Sequence, residues 1–511
     1  MLSKEKNKEI LLHFLMNNLS QKIFINSKFI KSKSKKFLIV ENPSTLKTLG
    51  KISIENKTGI NKTIKILKQE QKKWSNLSQL DRAKCLHEVA NNIEKKSLKP
   101  LARIMSKEVG KPLYESLGEM ANVSSALRYF AEMARDESGK IAGSTQKGSW
   151  QMEIKQPLGV SAHILPYNFP ILILIWTVAA SLAAGNAVII KPSEQASFTT
   201  LEFMKFFTSL PYNVVACITG DHSTGNTIVN NDDVNIVSFT GSVHTAKLIY
   251  RDCAKHFKPC HIEGGGSDFM IISDKSDLNF AATAAITSSF HLSGQICTST
   301  EHLLVHEKIY EEFLKLFTKK MNDLTVGDGL NKNEIGPLAN INTFNKAKNI
   351  LADAKKHGAN IIFHKNQKLI ESKKGYFISP AIIENIHSKM KCSNEEIFAP
   401  VVTLTKYKNL KQAVEKINKS QFGLGCNLIS KDLNENLFVA ENIETGLFWS
   451  NNPLIDNDAL SFGGIKKSGI GRELGKVGLD TFRRNKMVVI DPEQKIHDWW
   501  YPYSKKQLDK I

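Results

Sequence analysis

The sequence predicts an α/β protein built on parallel sheets. Between residues 159 and 280, short apolar runs alternate with stretches of helical period, which is the pattern of βαβ units. A second alternating block runs from roughly 268 to 450. The run Phe169–Ile190 carries no charged residue, yet Gly185-Asn186 interrupts it with a helix-stop signal. That divides it into a helix of about 14 residues, Ile171 to Ala184, and a strand, Ala187 to Ile190. Fourteen apolar residues are too few to span a bilayer, and a helix apolar all round belongs inside a large domain.

The remaining elements follow in order. Residues 1–20 read as an N-terminal surface helix. Their apolar run, Ile10 to Met16, is short, no small-residue cleavage site follows it, and Glu5 and Glu9 argue against a targeting presequence. Residues 22–41 read as two strands around a Lys/Ser turn, and 42–44 (NPS) as a turn. Apolar residues at three- and four-residue spacing predict helices over 60–138, with Ser78 or Asp81 as start signals. Residues 139–165 are strand-like. Beyond them come the helix 199–210, the strand 213–220, the short helix 223–231, the strand 235–241, the helix 242–256 and the strand 259–266.

Length and composition bound the function. At roughly 150 residues per domain, 511 residues suggest two to four domains. The net charge is +19, but only eight of the 69 basic residues are Arg, and no basic run is interleaved with aromatics. Phosphate and base recognition favours Arg, so a solvated lysine-rich surface is expected and no nucleic-acid partner. Seven cysteines at wide spacing without a CxxC argue against a disulfide framework and against a zinc site; no metal is expected. A reducing compartment, the cytoplasm, fits them.

Several stretches carry candidate chemistry. Asn168 lies in PYNFP, between a buried strand and a buried helix, where open α/β sheets place ligands; alone, it reads equally well as a loop cap. Glu263 ends an apolar strand in HIEGGGSDF. Cys297 sits among small residues in SGQICTS, which would let a substrate approach, although a buried inert thiol is the commoner role of a lone cysteine. KPSE (191–194) and TGDHSTG (219–225) each follow an apolar strand.

Together with FTGS (239–242), GYFISPAII (375–383), EEIFAPV (395–401) and SFGGIKKSGIGRELG (461–475), these motifs occur in an order that resembles the aldehyde dehydrogenase superfamily. Glu263 and Cys297 stand 34 residues apart (297 minus 263), a family spacing, and the likeness covers about nine-tenths of the chain. It implies a Rossmann-like cofactor domain (21–138 and 158–265), an α/β catalytic domain (266–468) and a small β bridging element (139–157 and 479–495). The bridging strands would pair between subunits of a homodimer or homotetramer. The residues 496–511 form an aromatic tail, expected to pack on the domain surface or on another subunit.

The resemblance also implies roles. Cys297 would attack an aldehyde, with the oxyanion held by the Asn168 amide and the Cys297 N–H. Glu263, followed by flexible glycines, would be a mobile base for thioester hydrolysis, and Glu473 would belong to its proton relay. For NAD, Lys191 and Glu194 would hold the adenine-side ribose. Gly241 and Ser242 would offer N–H groups to the pyrophosphate, and Gly220 and Gly225 would let the chain pass close by. Pro166 and Phe239 would line the site, Glu396 would hold the nicotinamide ribose, and Phe398 would pack nearby. Glu194 would disfavour a 2′-phosphate, hence NAD over NADP.

Three departures stand out. Tyr167 replaces the usual Trp. Gly264 and Ser267 replace Leu and Lys of the ELGGK pattern. Thr177 stands where many members carry a relay lysine. Two rivals were weighed: a CoA-acylating dehydrogenase, against which Glu263 argues, and a binding protein that has lost turnover, against which the set Asn168, Glu263 and Cys297 argues.

Overall fold

The alternating strands assemble into two open sheets. A computed structural model describes residues 12, 14–136, 138–497 and 499–510. In the first sheet eight strands lie in the order Gly469–Ile470, Cys260–Glu263, Ile236–Thr240, Val160–Ile164, Ala187–Lys191, Val215–Cys217, Lys22–Ile25 and Lys28–Lys31. The five from Cys260–Glu263 to Val215–Cys217 are parallel. From Val160–Ile164 the chain first runs outward on one side to Ala187–Lys191 and Val215–Cys217. It then crosses to Ile236–Thr240 and Cys260–Glu263 on the other side. This reversal opens a crevice at the carboxyl ends of the strands.

The second sheet holds seven strands in the order Asn360–Phe363, Ala381–Glu384, Val401–Tyr407, Thr300–His306, Asp268–Ile272, Gly425–Ile429 and Leu447–Ser450. Only Asn360–Phe363 runs antiparallel. A separate antiparallel sheet joins Arg483–Ile490, Trp150–Pro157 and Gly139–Ala142. The segment 479–495, expected as strand throughout, opens with the end of the helix Gly475–Thr481 before its strand begins.

The helix Leu172–Ala184 is buried at every residue, as its uniform apolarity requires. A buried helix must still satisfy the free N–H and C=O groups at its ends. Glu119, from the helix Leu113–Ala121, accepts the Ile171 and Leu172 N–H groups at 2.8 and 3.0 Å. At the other end Trp74 Nε1 and Arg82 Nε donate to Leu182 O (2.9 Å) and Ala183 O (3.2 Å), and Gln71 donates to Gly185 O (3.0 Å). Gly185 caps the helix in the left-handed region, φ 99°, as the sequence predicts.

Three local expectations change. Residues 22–41 form three strands, because Asn26 and Ser27 make a two-residue hairpin turn with both φ values positive. The helix expected over 199–210 is an α-helix, Ser197–Phe203, that tightens into a 3₁₀ turn, Met204–Ser209. The N-terminal helix lies partly outside the described residues; within them, 14–19 are helical, and Leu12, Met16 and Leu19 are buried, so this segment is anchored to the core. Among the described residues no helix is long and apolar enough to cross a membrane.

Candidate active site

A cavity of about 690 Å³ opens at the carboxyl ends of the first sheet. Its walls bring together Pro166, Asn168, Lys191, Glu194, Gly225, Phe239, Gly241, Ser242, Glu263, Cys297, Glu396 and Phe398. Two expected residues lie elsewhere. Gly220 is off the wall; its glycine is needed because φ is 154° and a Cβ would meet Thr224 Oγ1 at 2.0 Å. Glu473 is buried behind Glu263.

Cys297 follows a strained turn in which Leu292, Ser293 and Gly294 all have positive φ. Such backbone persists only where its surroundings hold it. Glu115 accepts the Leu292 N–H (3.0 Å), Ser293 Oγ donates to Gly336 O (3.0 Å), and Gln295 Oε1 accepts the Ala339 N–H (3.0 Å). Asn168 Nδ2 donates one proton to Gln295 O at 3.0 Å, which leaves the second amide proton for a ligand, and Asn168 Oδ1 is buried without a partner. Lys111 Nζ fixes the loop by donating to Asn168 O (3.1 Å) while pairing with Glu119 at 2.7 Å, both side chains fully buried.

Burial pushes the Cys297 thiol well above its ordinary value, and Glu263, Asp268, Asp456 and Glu396 add to the effect in that order. Cys297 therefore rests as a thiol. Burial likewise raises the Glu263 carboxyl far above the carboxylate range, against the opposing pull of Arg472 and the Gly464 N–H. The glycines behind Glu263 are closely packed. A Cβ on Gly266 would sit 2.2 Å from Cys297 O, so this glycine lets the chain pass close to the Cys297 backbone.

The cofactor end of the cavity fits a dinucleotide. Lys191 Nζ holds Glu194 at 2.8 Å, a cation and an acceptor side by side at a strand end. Ser242 caps the 13-residue helix Val243–Lys255, whose first turn offers free N–H groups. The Gly241 N–H is not one of them: it is donated to Glu263 O at 2.9 Å, which corrects that expectation. Val229, Phe239, Leu248 and Ile249 supply apolar wall. At the far end Glu396 accepts the Gly266 N–H (3.2 Å) and faces Lys346 at 3.8 Å. Phe398, at φ 55°, is held by Glu301, which accepts both the Ile397 and Phe398 N–H groups at 2.7 Å.

Sequence reasoning missed Lys111, Glu119, Glu301, Lys346 and His261. GKP (110–112) and CHIE (260–263) could have signalled Lys111 and His261; Glu119, Glu301 and Lys346 carry no local signal.

Comparison with known proteins accords with this geometry. The model of the aldehyde dehydrogenase family matches residues 29–488. The chain is similar to alpha-ketoglutaric semialdehyde dehydrogenase of Bacillus subtilis, 32% identical over 92% of this chain and 98% of that one. It is similar to peroxisomal aminoaldehyde dehydrogenase 1 of Pisum sativum, 32% identical over 91% and 94%. Among solved structures, betaine aldehyde dehydrogenase of Staphylococcus aureus in complex with NAD+ superposes with a TM-score of 0.91 at 28% identity, covering 95% of this chain and 98% of that one. With the site and these likenesses together, the chain belongs to the aldehyde dehydrogenase family and is an NAD-dependent aldehyde dehydrogenase.

Proposed function

We propose that Cys297 is the nucleophile, Asn168 the oxyanion donor and Glu263 the base that hydrolyses the acyl-enzyme. The observation that carries this reading is their convergence on one cavity with the Lys191–Glu194 pair. The Cys297 thiol, once deprotonated, attacks the aldehyde carbon, and the oxygen of the resulting thiohemiacetal accepts hydrogen bonds from the free Asn168 amide N–H and the Cys297 N–H. NAD supplies the hydride acceptor. Lys191 and Glu194 hold its adenine-side ribose, the helix start after Ser242 its pyrophosphate, and Glu396, backed by Phe398, its other ribose. Glu263 then takes a proton from the water that attacks the thioester, and Cys297 is released with the acid. Cys297→Ala tests the reading: loss of NADH formation across an aldehyde panel is expected, and full turnover in that variant would overturn it.

The substrate class we favour is a cationic aldehyde. Asp456, solvent-accessible yet crowded, adds to the negative field at Cys297 without lining the cofactor cavity, and Asp458 lies close to it. A bound cation would be stabilised there. The aminoaldehyde and betaine aldehyde dehydrogenases among the relatives point the same way.

The three-stranded sheet is the proposed subunit contact. Ile141, Trp150, Met487, Val489 and Ile490 are exposed on it, an apolar surface at variance with a lone subunit. Trp499, Trp500, Tyr501 and Tyr503 of the aromatic tail are exposed, Trp499 edge-on to Trp500 and Tyr501 tilted against Tyr503, which favours the partner copy over the domain surface as their packing site. Seven free cysteines fit a reducing compartment such as the cytoplasm.

A further inference from the structure

His261 lies two residues before Glu263 on the strand Cys260–Glu263, so the two side chains leave the same face. It is buried between two carboxyls. Its Nε2 is 3.4 Å from Glu263 Oε1, and its Nδ1 is 3.7 Å from Glu473 Oε1 and 3.2 Å from Ser238 Oγ. His261 Nε2 and Glu263 Oε1 are both buried polar atoms without a hydrogen-bond partner. An orphaned nitrogen facing an orphaned oxygen at this distance needs only a slight ring movement to bond.

The other polar groups around them are accounted for. Arg472 acts on His261 and Glu263, the Gly464 N–H on Glu263, Thr240 and Asp456 on Glu473, and His163 is the second imidazole within electrostatic reach. Thr177 takes no part. Its hydroxyl is engaged with His163 Nδ1 at 2.9 Å and with the carbonyls of its own helix.

A base that takes a proton from water in every turnover must also lose it. Glu263 is 4% exposed, and among the described residues His261 is the ionisable side chain paired with it. We propose that His261 is a positioning residue that carries the proton from Glu263 to Glu473. This rests on Glu263 being the deacylation base. In the step, the Glu263 O–H bond breaks and a bond to His261 Nε2 forms, while the Nδ1–H bond breaks and a Glu473 O–H bond forms. The imidazole stays neutral and exchanges tautomers. Burial holds His261 below its ordinary value, so it is neutral at pH 7, and holds Glu473 up to about 8, where its ionisation can govern the relay.

Hydrolysis of p-nitrophenyl acetate, followed against pH without cofactor, tests this. Wild type is expected to give a burst of p-nitrophenolate and a steady rate that rises through a limb near pH 8. His261→Gln, which keeps a polar side chain of similar reach but cannot pass a proton between two atoms, keeps the burst. It lowers the steady rate by about tenfold or more and loses the limb. Adding Glu473→Gln to it changes nothing further. An overlaid profile for His261→Gln, or a further shift on adding Glu473→Gln, would overturn the proposal. If His261→Gln does not fold, Glu473→Gln alone must remove the limb. If wild type gives no burst, or Cys297→Ala keeps one, the proposed function fails instead.

Discussion

The Lys111–Glu119 pair should be worth more to the site than any surface contact, and its energetics can be dissected. Glu119→Gln keeps the Oε1 acceptor for the Ile171 and Leu172 N–H groups but leaves the Lys111 ammonium unpaired in a fully buried position. Removing one partner of such a pair costs about 3–5 kcal/mol. Lys111→Met strands the carboxylate instead, cushioned by two N–H donors, and should fall at the low end of that range. The double variant removes both charges of the pair. It loses mainly the Lys111 bond to Asn168 O, worth about 1 kcal/mol. Its expected loss of about 1–2 kcal/mol is far below the sum of the singles, a coupling of about 3 kcal/mol or more. Urea unfolding followed by tryptophan fluorescence measures this, because Trp74 is buried against the helix the pair supports and Trp176 is buried within it. Since Lys111 also fixes the Asn168 loop, kcat should fall more than KM rises in both singles. Strict additivity of the two single losses would refute the reasoning.

Three further outcomes follow from the site and the surface. Because the Cys297 thiol is held high and only the thiolate alkylates, carbamidomethylation of the cofactor-free protein should still be accelerating at pH 9; a plateau below pH 8 would contradict the burial argument. Asp456→Asn should lower kcat/KM for an aminoaldehyde by about fivefold, the size of an ion pair worth ~1 kcal/mol at an accessible site, and leave an aliphatic aldehyde of equal length unchanged; equal losses would remove the cationic-substrate reading. The Asp456 carboxyl, pushed up to about 7, should also make that preference grow as pH rises through 7. Met487→Glu, on the exposed face of Arg483–Ile490, should reduce the sedimenting mass in analytical ultracentrifugation, and an unchanged mass would move the subunit contact elsewhere.

What the sequence made legible was whatever depends on local pattern. Alternating apolar runs foretold both sheets, and Gly185 foretold where the buried helix stops, because a left-handed cap favours glycine. The convergence of Cys297, Asn168 and Glu263 was legible through motifs. The supporting residues were not. Glu119 caps a helix 52 residues away, and Glu301 holds the Phe398 backbone from 97 residues away. Nothing in a local window distinguishes these carboxylates from solvated ones. The glycine run after Glu263 was ambiguous for a related reason. Glycine signals either freedom or crowding, and the crowding at Gly266 comes from Cys297 O, on a different segment.

The same logic resolves Thr177. Considered alone, a threonine where relatives carry a lysine leaves a gap in proton transfer. In three dimensions the position belongs to a buried polar chain in which Thr177 and Ser161 hold the two nitrogens of His163 at 2.9 Å each. Burial drives His163 down to about 3, so it is a neutral packing element rather than a carrier of charge. A lysine there would have to ionise among apolar side chains with its nearest imidazole unable to compensate. The imidazole that faces the carboxyls comes instead from Cys260–Glu263, two places along the sheet, at His261, within 3.4 Å of Glu263. The helix Leu172–Ala184 can therefore stay wholly apolar apart from two satisfied hydroxyls, and its burial keeps Asn168 at one end and Lys191 beyond the other in fixed register.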